Sequence, residues 1–158
     1  LEKIENHKGM IFKISKMYVD GKEDREDLFQ EIIYQLWKSY QNFEGKSQFS
    51  TWLYRVSINT ALTFLNKEKK KTDNASLNEN IDVQDENSDE KETQLEFFYK
   101  AVHELNPVEK ALIFLFLEGQ SHKEIANNLG ITEVNVLVKL NRTKEKLQQI
   151  IKNYGYEF

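Results

Sequence analysis

One polar, acidic segment in the middle of the chain limits how the chain can fold. Residues 72–92 read TDNASLNENIDVQDENSDEKE and contain four isolated apolar residues. A segment of this kind cannot bury enough apolar surface to offset the conformational entropy that it would lose on ordering. We therefore predict a flexible acidic linker at residues 72–92. It leaves an N-terminal body of residues 1–71 and a C-terminal body of residues 93–158, each long enough for a small helical domain.

The net charge of −4 hides an uneven distribution along the chain. Residues 1–71 hold 13 Lys and Arg against 10 Asp and Glu, whereas residues 72–105 hold 2 against 10 and residues 106–158 hold 7 against 6. Two weakly basic segments, residues 1–71 and 106–158, therefore flank an acidic segment, which is compatible with nucleic-acid binding by the two bodies. We expect the bodies to close on one another in the free protein, with the acidic segment shielding their basic surfaces.

The residue types present exclude several kinds of catalytic site. The chain has no cysteine, its three histidines are scattered, and its glycines do not form a phosphate-binding loop. We therefore predict a protein that is not an enzyme and has neither a metal site nor a cofactor. The longest apolar run, Ala111–Leu117, is far shorter than the roughly 20 residues that span a bilayer. We expect a cytoplasmic protein with no membrane insertion of its own.

The spacing of apolar residues predicts an all-α fold. Three stripes at helical spacing indicate three helices in the N-terminal body, and Gly21 and Gly45 lie at the joints between them. The stripes are Ile4, Ile11, Ile14 and Tyr18; Leu28, Ile32, Leu36 and Tyr40; and Trp52, Val56, Asn59 and Thr63.

Capping residues predict where the helices of the C-terminal body begin and end. Asn106 before Pro107 is typical of a helix start, and Gly119 fits the end of that helix. The sequence SHKE at residues 121–124 is a capping box that opens a short helix, which Gly130 closes. Thr132 then caps a longer helix that we expect to run to about residue 154. A helix, a tight turn and a longer helix form a helix-turn-helix.

Two stretches of the chain resemble the same protein family. The sequence DREDLFQEIIYQLW at residues 24–37, followed by FSTWLYRVSIN at residues 49–59, resembles conserved region 2 of the sigma-70 initiation factors. The sequence LNPVEKALIFLFLEGQSHKEIANNLGIT at residues 105–132 resembles the start of region 4. Their order and separation fit the small, extracytoplasmic-function type. The resemblance implies a sigma factor that binds core RNA polymerase, directs it to specific promoter DNA and is held by an anti-sigma protein.

The resemblance also implies roles for individual residues. In the second helix, five residues would dock on core RNA polymerase: Asp27, Leu28, Gln30, Glu31 and Trp37. The following loop and helix would contact the −10 element through Phe43, Lys46, Ser47, Gln48, Phe49, Arg55, Asn59 and Lys67, because aromatic rings can stack on unpaired bases and cations favour phosphate. The recognition helix would enter the major groove of the −35 element through Thr132, Asn135, Lys139 and Arg142.

Some of these interpretations have alternatives. Phe43 and Phe49 can stack on bases, or they can cover the hydrophobic core at a helix start. Val134, Leu137 and Val138 are predicted to point away from the core, where they can contact thymine methyl groups or a protein partner. The second possibility favours an alternative function, a sigma-like regulatory protein that binds polymerase or an anti-sigma partner without reading DNA.

Overall fold

The computed structural model describes residues 2–43, 45, 48–74 and 90–155, and these residues form eight α-helices without any strand. This confirms the all-α prediction. The N-terminal body contains α1 (Glu2–Asn6), α2 (Lys8–Tyr18), α3 (Lys22–Tyr40) and α4 (Phe49–Asn74). The C-terminal body contains α5 (Glu90–His103), α6 (Pro107–Leu117), α7 (His122–Leu129) and α8 (Glu133–Asn153).

The first of the three helices predicted for the N-terminal body is interrupted at His7, so that it consists of the short α1 followed by α2. His7 leaves helical geometry with φ −109° and ψ 12°, and its Nδ1 lies 2.6 Å from the carbonyl oxygen of Lys3. The apolar stripe continues across the break, since Ile4 and Ile11 are both buried. A local polar contact therefore interrupts the helix without disturbing its packed side.

Helices α4 and α5 both extend into the acidic segment that we predicted to be a linker. Helix α4 continues through Asn74, and α5 begins at Glu90. Residues 75–89 of the predicted linker lie outside the described residues.

The predicted caps of the C-terminal body are confirmed. Asn106 and Ser121 each form a capping box, in which the cap side chain accepts the backbone N–H of the glutamate three residues later. Gly130 ends α7 in the left-handed conformation, and the Thr132 hydroxyl accepts the Asn135 N–H at 3.1 Å. Helix α6, with sequence PVEKALIFLFL, is buried from Lys110 to Leu115, and it contacts α7 and α8 of the same body and α2 of the other.

The two bodies pack against each other. Helix α2 contacts α5 and α6, and α4 contacts α7. The Tyr18 hydroxyl donates a hydrogen bond to the carbonyl oxygen of Pro107 at 3.0 Å, and Lys110 lies with its ammonium 5.5 Å from the centre of the Tyr18 ring. The Glu118 carboxylate accepts a hydrogen bond from the Tyr54 hydroxyl at 3.4 Å and forms an ion pair with the Lys13 ammonium at 3.6 Å. The two bodies are therefore associated in the structure, as expected, whereas the predicted shielding by the acidic segment concerns residues that lie largely outside the described ranges.

Candidate nucleic-acid interface

One side of α3 is buried and the opposite side presents polar and aromatic groups to solvent. Leu28, Ile32 and Leu36 are fully buried against α2 and α4. Spacing of three or four residues places another set of exposed side chains on one outward side, which we call the α3 face: Asp27, Gln30, Tyr34 and Trp37. Leu28, which we also predicted to bind the polymerase, is fully buried in this structure and lies on the side opposite to the α3 face.

Glu31, also predicted to bind polymerase, lies at the margin of the α3 face. It is half-buried and accepts a hydrogen bond from the Gln35 side-chain amide at 3.1 Å. The sequence analysis missed Tyr34, whose side chain is 55% exposed between Gln30 and Trp37. The signal that could have found it is the three- to four-residue spacing of the exposed set, which mirrors the buried stripe.

Phe43 and Phe49 belong to an aromatic cluster formed with Tyr40 and Trp52, where α3 ends and α4 begins. The ring centres of Phe43 and Phe49 are 6.0 Å apart, and those of Phe43 and Trp52 are 5.2 Å apart. Both phenylalanines are half-buried. They therefore cover the end of the hydrophobic core while keeping part of each ring in solvent.

The other residues predicted in this loop are placed unevenly. Gln48 is exposed, and its backbone carbonyl accepts the N–H of Trp52 at 3.1 Å, which begins α4. Lys46 and Ser47 lie outside the described residues. The aromatic cluster and Gln48 are thus the part of the predicted −10 surface that the structure places together.

Two different surfaces hold the polar residues of α4. Asn59 and Lys67 line an open groove of about 720 Å³ between α3 and α4, together with Glu31. Arg55 instead points toward the C-terminal body, where its guanidinium donates a hydrogen bond to the carbonyl oxygen of Asn127 at 3.2 Å. We call the arrangement in which the two bodies pack together the closed arrangement. In it, Arg55 is separated from the other residues predicted to contact the −10 element.

Helix α8 buries one side and exposes the opposite one. Its buried side chains are those predicted from spacing: Val136, Leu140, Thr143 and Leu147. Asn135, Lys139 and Arg142 are exposed along one flank, as expected. The Thr132 hydroxyl accepts the backbone N–H of Asn135, so this group caps α8.

Charge on the helix-turn-helix differs in sign from the charge of the whole chain. Residues 121–153 carry 6 Lys and Arg against 3 Asp and Glu, although the net charge of the chain is −4. Lys146 is held by Glu109 of α6 at 2.9 Å, while Lys139 and Arg142 are free of any ion pair with the described acidic residues. An exposed helix with positive groups beside it suits the phosphate backbone of nucleic acid.

Two family models match the chain. The model described as sigma-70 region 2 matches residues 4–71, and the model described as sigma-70, region 4 matches residues 98–147. The chain belongs to the sigma-70 family. Within this sigma-70 chain, region 2 contains the α3 face and the aromatic cluster, and region 4 contains α7 and most of α8.

Relatives of this sigma-70 chain carry the names of ECF RNA polymerase sigma factors. The chain is 29% identical to the ECF RNA polymerase sigma factor SigG of Mycobacterium tuberculosis, with 80% of this chain and 42% of that protein covered. It is 28% identical to the ECF RNA polymerase sigma-E factor of Haemophilus influenzae, with 83% of this chain and 76% of that protein covered. The chain thus spans less than half of the mycobacterial relative's length.

Two solved structures share the fold of this chain. The sigma factor RpoE in complex with the anti-sigma factor NepR from Bartonella quintana has a TM-score of 0.74 and 20% identity, covering 96% of this chain and 95% of that chain. CnrH in complex with the cytosolic domain of CnrY has a TM-score of 0.69 and 16% identity, covering 96% and 86%. At these identities the likeness establishes the fold.

The described helices give no sign of a membrane span or a metal centre. Across the described ranges, every helix is too short or too polar to cross a bilayer. The same residues contain no cluster of three His, Cys, Asp or Glu side chains arranged to hold a metal ion.

Proposed function

We propose that this chain is a sigma factor that binds core RNA polymerase and directs it to specific promoters. It would act in the cytoplasm, as a transcription initiation factor without catalytic activity of its own. The observation that carries the proposal is the presence of both sigma-70 regions in one chain, each with an exposed, chemically suitable surface. The two surfaces are the α3 face in region 2 and the outer side of α8 in region 4.

The α3 face is the proposed polymerase-docking surface. Trp37 is 61% exposed and Tyr34 is 55% exposed on a helix whose other side is fully buried, so these rings are not needed for the core. Exposed aromatic residues next to charged and amide groups are typical of the energetic centre of a protein interface. Asp27 and Gln30 would supply the directional contacts there.

The aromatic cluster, Gln48 and the α3–α4 groove are the proposed surface for the −10 element. Half-exposed rings offer stacking to unpaired bases, and Lys67 offers a phosphate contact. Arg55 could join this surface only after its bond to Asn127 breaks. We therefore propose that the two bodies separate when both regions engage a promoter.

An anti-sigma protein is the proposed regulatory partner. The two similar solved structures are complexes, one with the anti-sigma factor NepR and one with the cytosolic domain of CnrY. Their fold is shared over 96% of this chain. A partner that stabilises the closed arrangement would keep Arg55 away from DNA.

Retention of core RNA polymerase by the immobilised chain tests the polymerase-docking role. We expect the chain to retain the polymerase and a double variant, Asp27→Ala with Gln30→Ala, to lose most of it. A matched control is Glu145→Ala with Gln148→Ala, which removes the same kinds of exposed side chain at the same spacing from α8. Equal retention by both double variants would contradict the assignment of the α3 face.

Run-off transcription tests promoter selection. Core polymerase with this chain should give promoter-dependent products from a library of DNA fragments, and core polymerase alone should not. Polymerase retention without any promoter-dependent product would instead support a regulatory protein that binds polymerase without reading DNA. The exposed apolar side chains of α8 are the observation that favours this second function.

A further inference from the structure

The outward side of α8 begins with two valines. Val134 is 70% exposed and Val138 is 42% exposed, and the four-residue spacing places both on the side opposite the buried Val136 and Leu140. We call Val134 and Val138 the valine pair. Leu137 is 45% exposed but lies nearer the flank of the helix, so the valine pair is what the helix presents most directly outward.

The valine pair does not help α8 to fold. Valine has a lower helix propensity than alanine or the long polar residues, because its branched side chain loses rotamer freedom against the preceding turn. Its exposed methyl groups also gain little from burial within this chain. Two such residues on the exposed side of one helix therefore indicate a surface that is covered by something else when the protein works.

We propose that the valine pair reads thymine by contacting its 5-methyl group in the major groove of the upstream promoter element. The inference rests on the proposed function, in which α8 enters that groove, and it adds which bases the helix selects. Thymine is the base that carries a methyl group on the major-groove edge, and apolar side chains are its natural contacts.

The position of the pair within α8 fits this role. In a helix-turn-helix, the N-terminal residues of the second helix contact the base edges. Thr132 caps α8, so Val134 and Val138 fall within its first two turns. Four residues rise about 6 Å along the helix, close to two base-pair steps of about 3.4 Å. The two valines can therefore meet different base pairs.

Charge around the pair favours DNA over a protein partner as the occupant. Asn135, Lys139 and Arg142 are exposed on the flank beside the valines, and among the described acidic residues none pairs with Lys139 or Arg142. A purely apolar protein interface would leave these cations at its edge, whereas a DNA groove is bordered by phosphates that match them. The acidic Glu145 lies two turns further along α8, away from the first two turns.

The test measures how removal of a methyl group from DNA couples to removal of methyl groups from the protein. The full chain is combined with core RNA polymerase and promoter fragments are selected from a library with a randomised upstream element. Each thymine of a selected element is then replaced by deoxyuridine, which lacks the 5-methyl group, and binding is measured for the chain and for Val134→Ala and Val138→Ala. The matched control is Val108→Ala, which truncates another exposed valine, in α6 and outside the helix-turn-helix.

At one or two thymines, we expect deoxyuridine to weaken binding by about fourfold, the equivalent of roughly 0.8 kcal/mol for one buried methyl-sized group. Val134→Ala should abolish the deoxyuridine penalty at one thymine, and Val138→Ala should abolish it at another. The control Val108→Ala should leave both penalties unchanged. Alanine is the better helix former, so α8 is retained in these variants. Loss of coupling between a valine and a methyl group is the expected sign of direct contact.

Two kinds of result would overturn the inference, and only the second would also reject the proposed sigma-factor function. Sequence-specific binding that is indifferent to the 5-methyl group, or penalties unchanged by the valine variants, would reject thymine reading and leave the sigma-factor function intact. The valine pair would then be a surface for a protein partner. Failure to select any promoter fragment with polymerase present would reject the proposed function and this inference together.

Discussion

Replacing Tyr18 with phenylalanine probes the contact between the two bodies. Tyr18 lies at the end of α2 with 2% of its surface exposed, and its hydroxyl donates to the Pro107 carbonyl oxygen at 3.0 Å. Burial raises the pKa of this hydroxyl well above its usual value, so it remains a donor at every physiological pH. Phenylalanine keeps the buried ring and removes this single hydrogen bond.

The expected effect is modest and specific to the closed arrangement. The Pro107 carbonyl keeps its acceptor role within α6, so the loss should be close to the net value of one buried hydrogen bond, about 1 kcal/mol. This corresponds to a roughly fivefold decrease in the ratio of closed to open molecules. Tyr18→Ala should lower the stability of the folded chain by about 3–5 kcal/mol, because this substitution also removes the buried ring and leaves a cavity.

The ratio of closed to open molecules can be measured from the distance between two labels, one in each body. The chain has no cysteine, so Lys38→Cys and Lys152→Cys provide the only two labelling sites for a fluorescent donor and acceptor. In a urea titration, Tyr18→Phe should lower the midpoint for separation of the labels more than the midpoint for loss of helical signal. The control Tyr34→Phe, at an exposed tyrosine, should change neither. An identical separation midpoint for Tyr18→Phe and the parent chain would refute the reasoning.

Three further predictions concern stability. Asn106→Ala removes the side chain that accepts the Glu109 N–H at 2.9 Å, and should lower the free energy of unfolding by about 1 kcal/mol in urea titrations, whereas Asn106→Asp should nearly retain it. Gly130 has φ +70° and open space where a β-carbon would lie. Gly130→Ala should therefore lower the free energy of unfolding by about 1 kcal/mol through backbone strain alone. Gly130→Asn should recover most of this loss, because asparagine tolerates the left-handed conformation. Burial, with help from the Lys110 charge, lowers the pKa of His103 below 6.5 in the folded chain. The unfolded chain therefore takes up a proton first as the pH falls below about 6.5, and the urea midpoint should drop through that window. His103→Gln should flatten this part of the pH profile, and an unchanged slope would contradict the assignment.

Local sequence signals predicted the parts of the fold that depend on neighbouring residues. Asn106, Ser121 and Thr132 cap their helices as expected, because each cap bonds to a backbone N–H three residues later and needs no distant partner. The buried stripe of α3 was also predictable, since a four-residue repeat of leucine and isoleucine fixes one apolar side.

The candidate site was predicted in part. Exposed positions on α8 followed from the same periodicity that placed Val136 and Leu140 in the core. Periodicity placed Leu28 in the apolar stripe of α3, where it is fully buried, although the resemblance also assigned it a role in polymerase binding. It should also have added Tyr34 to the α3 face. Periodicity was the better guide to exposure, because it reports the geometry of this helix directly.

The amino-acid sequence by itself determined the helices, their caps, the inner and outer sides of α3 and α8, and membership of the sigma-70 family. Only the tertiary structure decided how the two bodies meet. The bond between Tyr18 and Pro107 joins residues 89 positions apart, and the bond that holds Arg55 at Asn127 joins residues 72 positions apart. No repeat or cap encodes such a pair, because it exists only after two separately formed surfaces have come into contact. Whether Arg55 is free for DNA depends on that contact, which local patterns along the chain do not reveal.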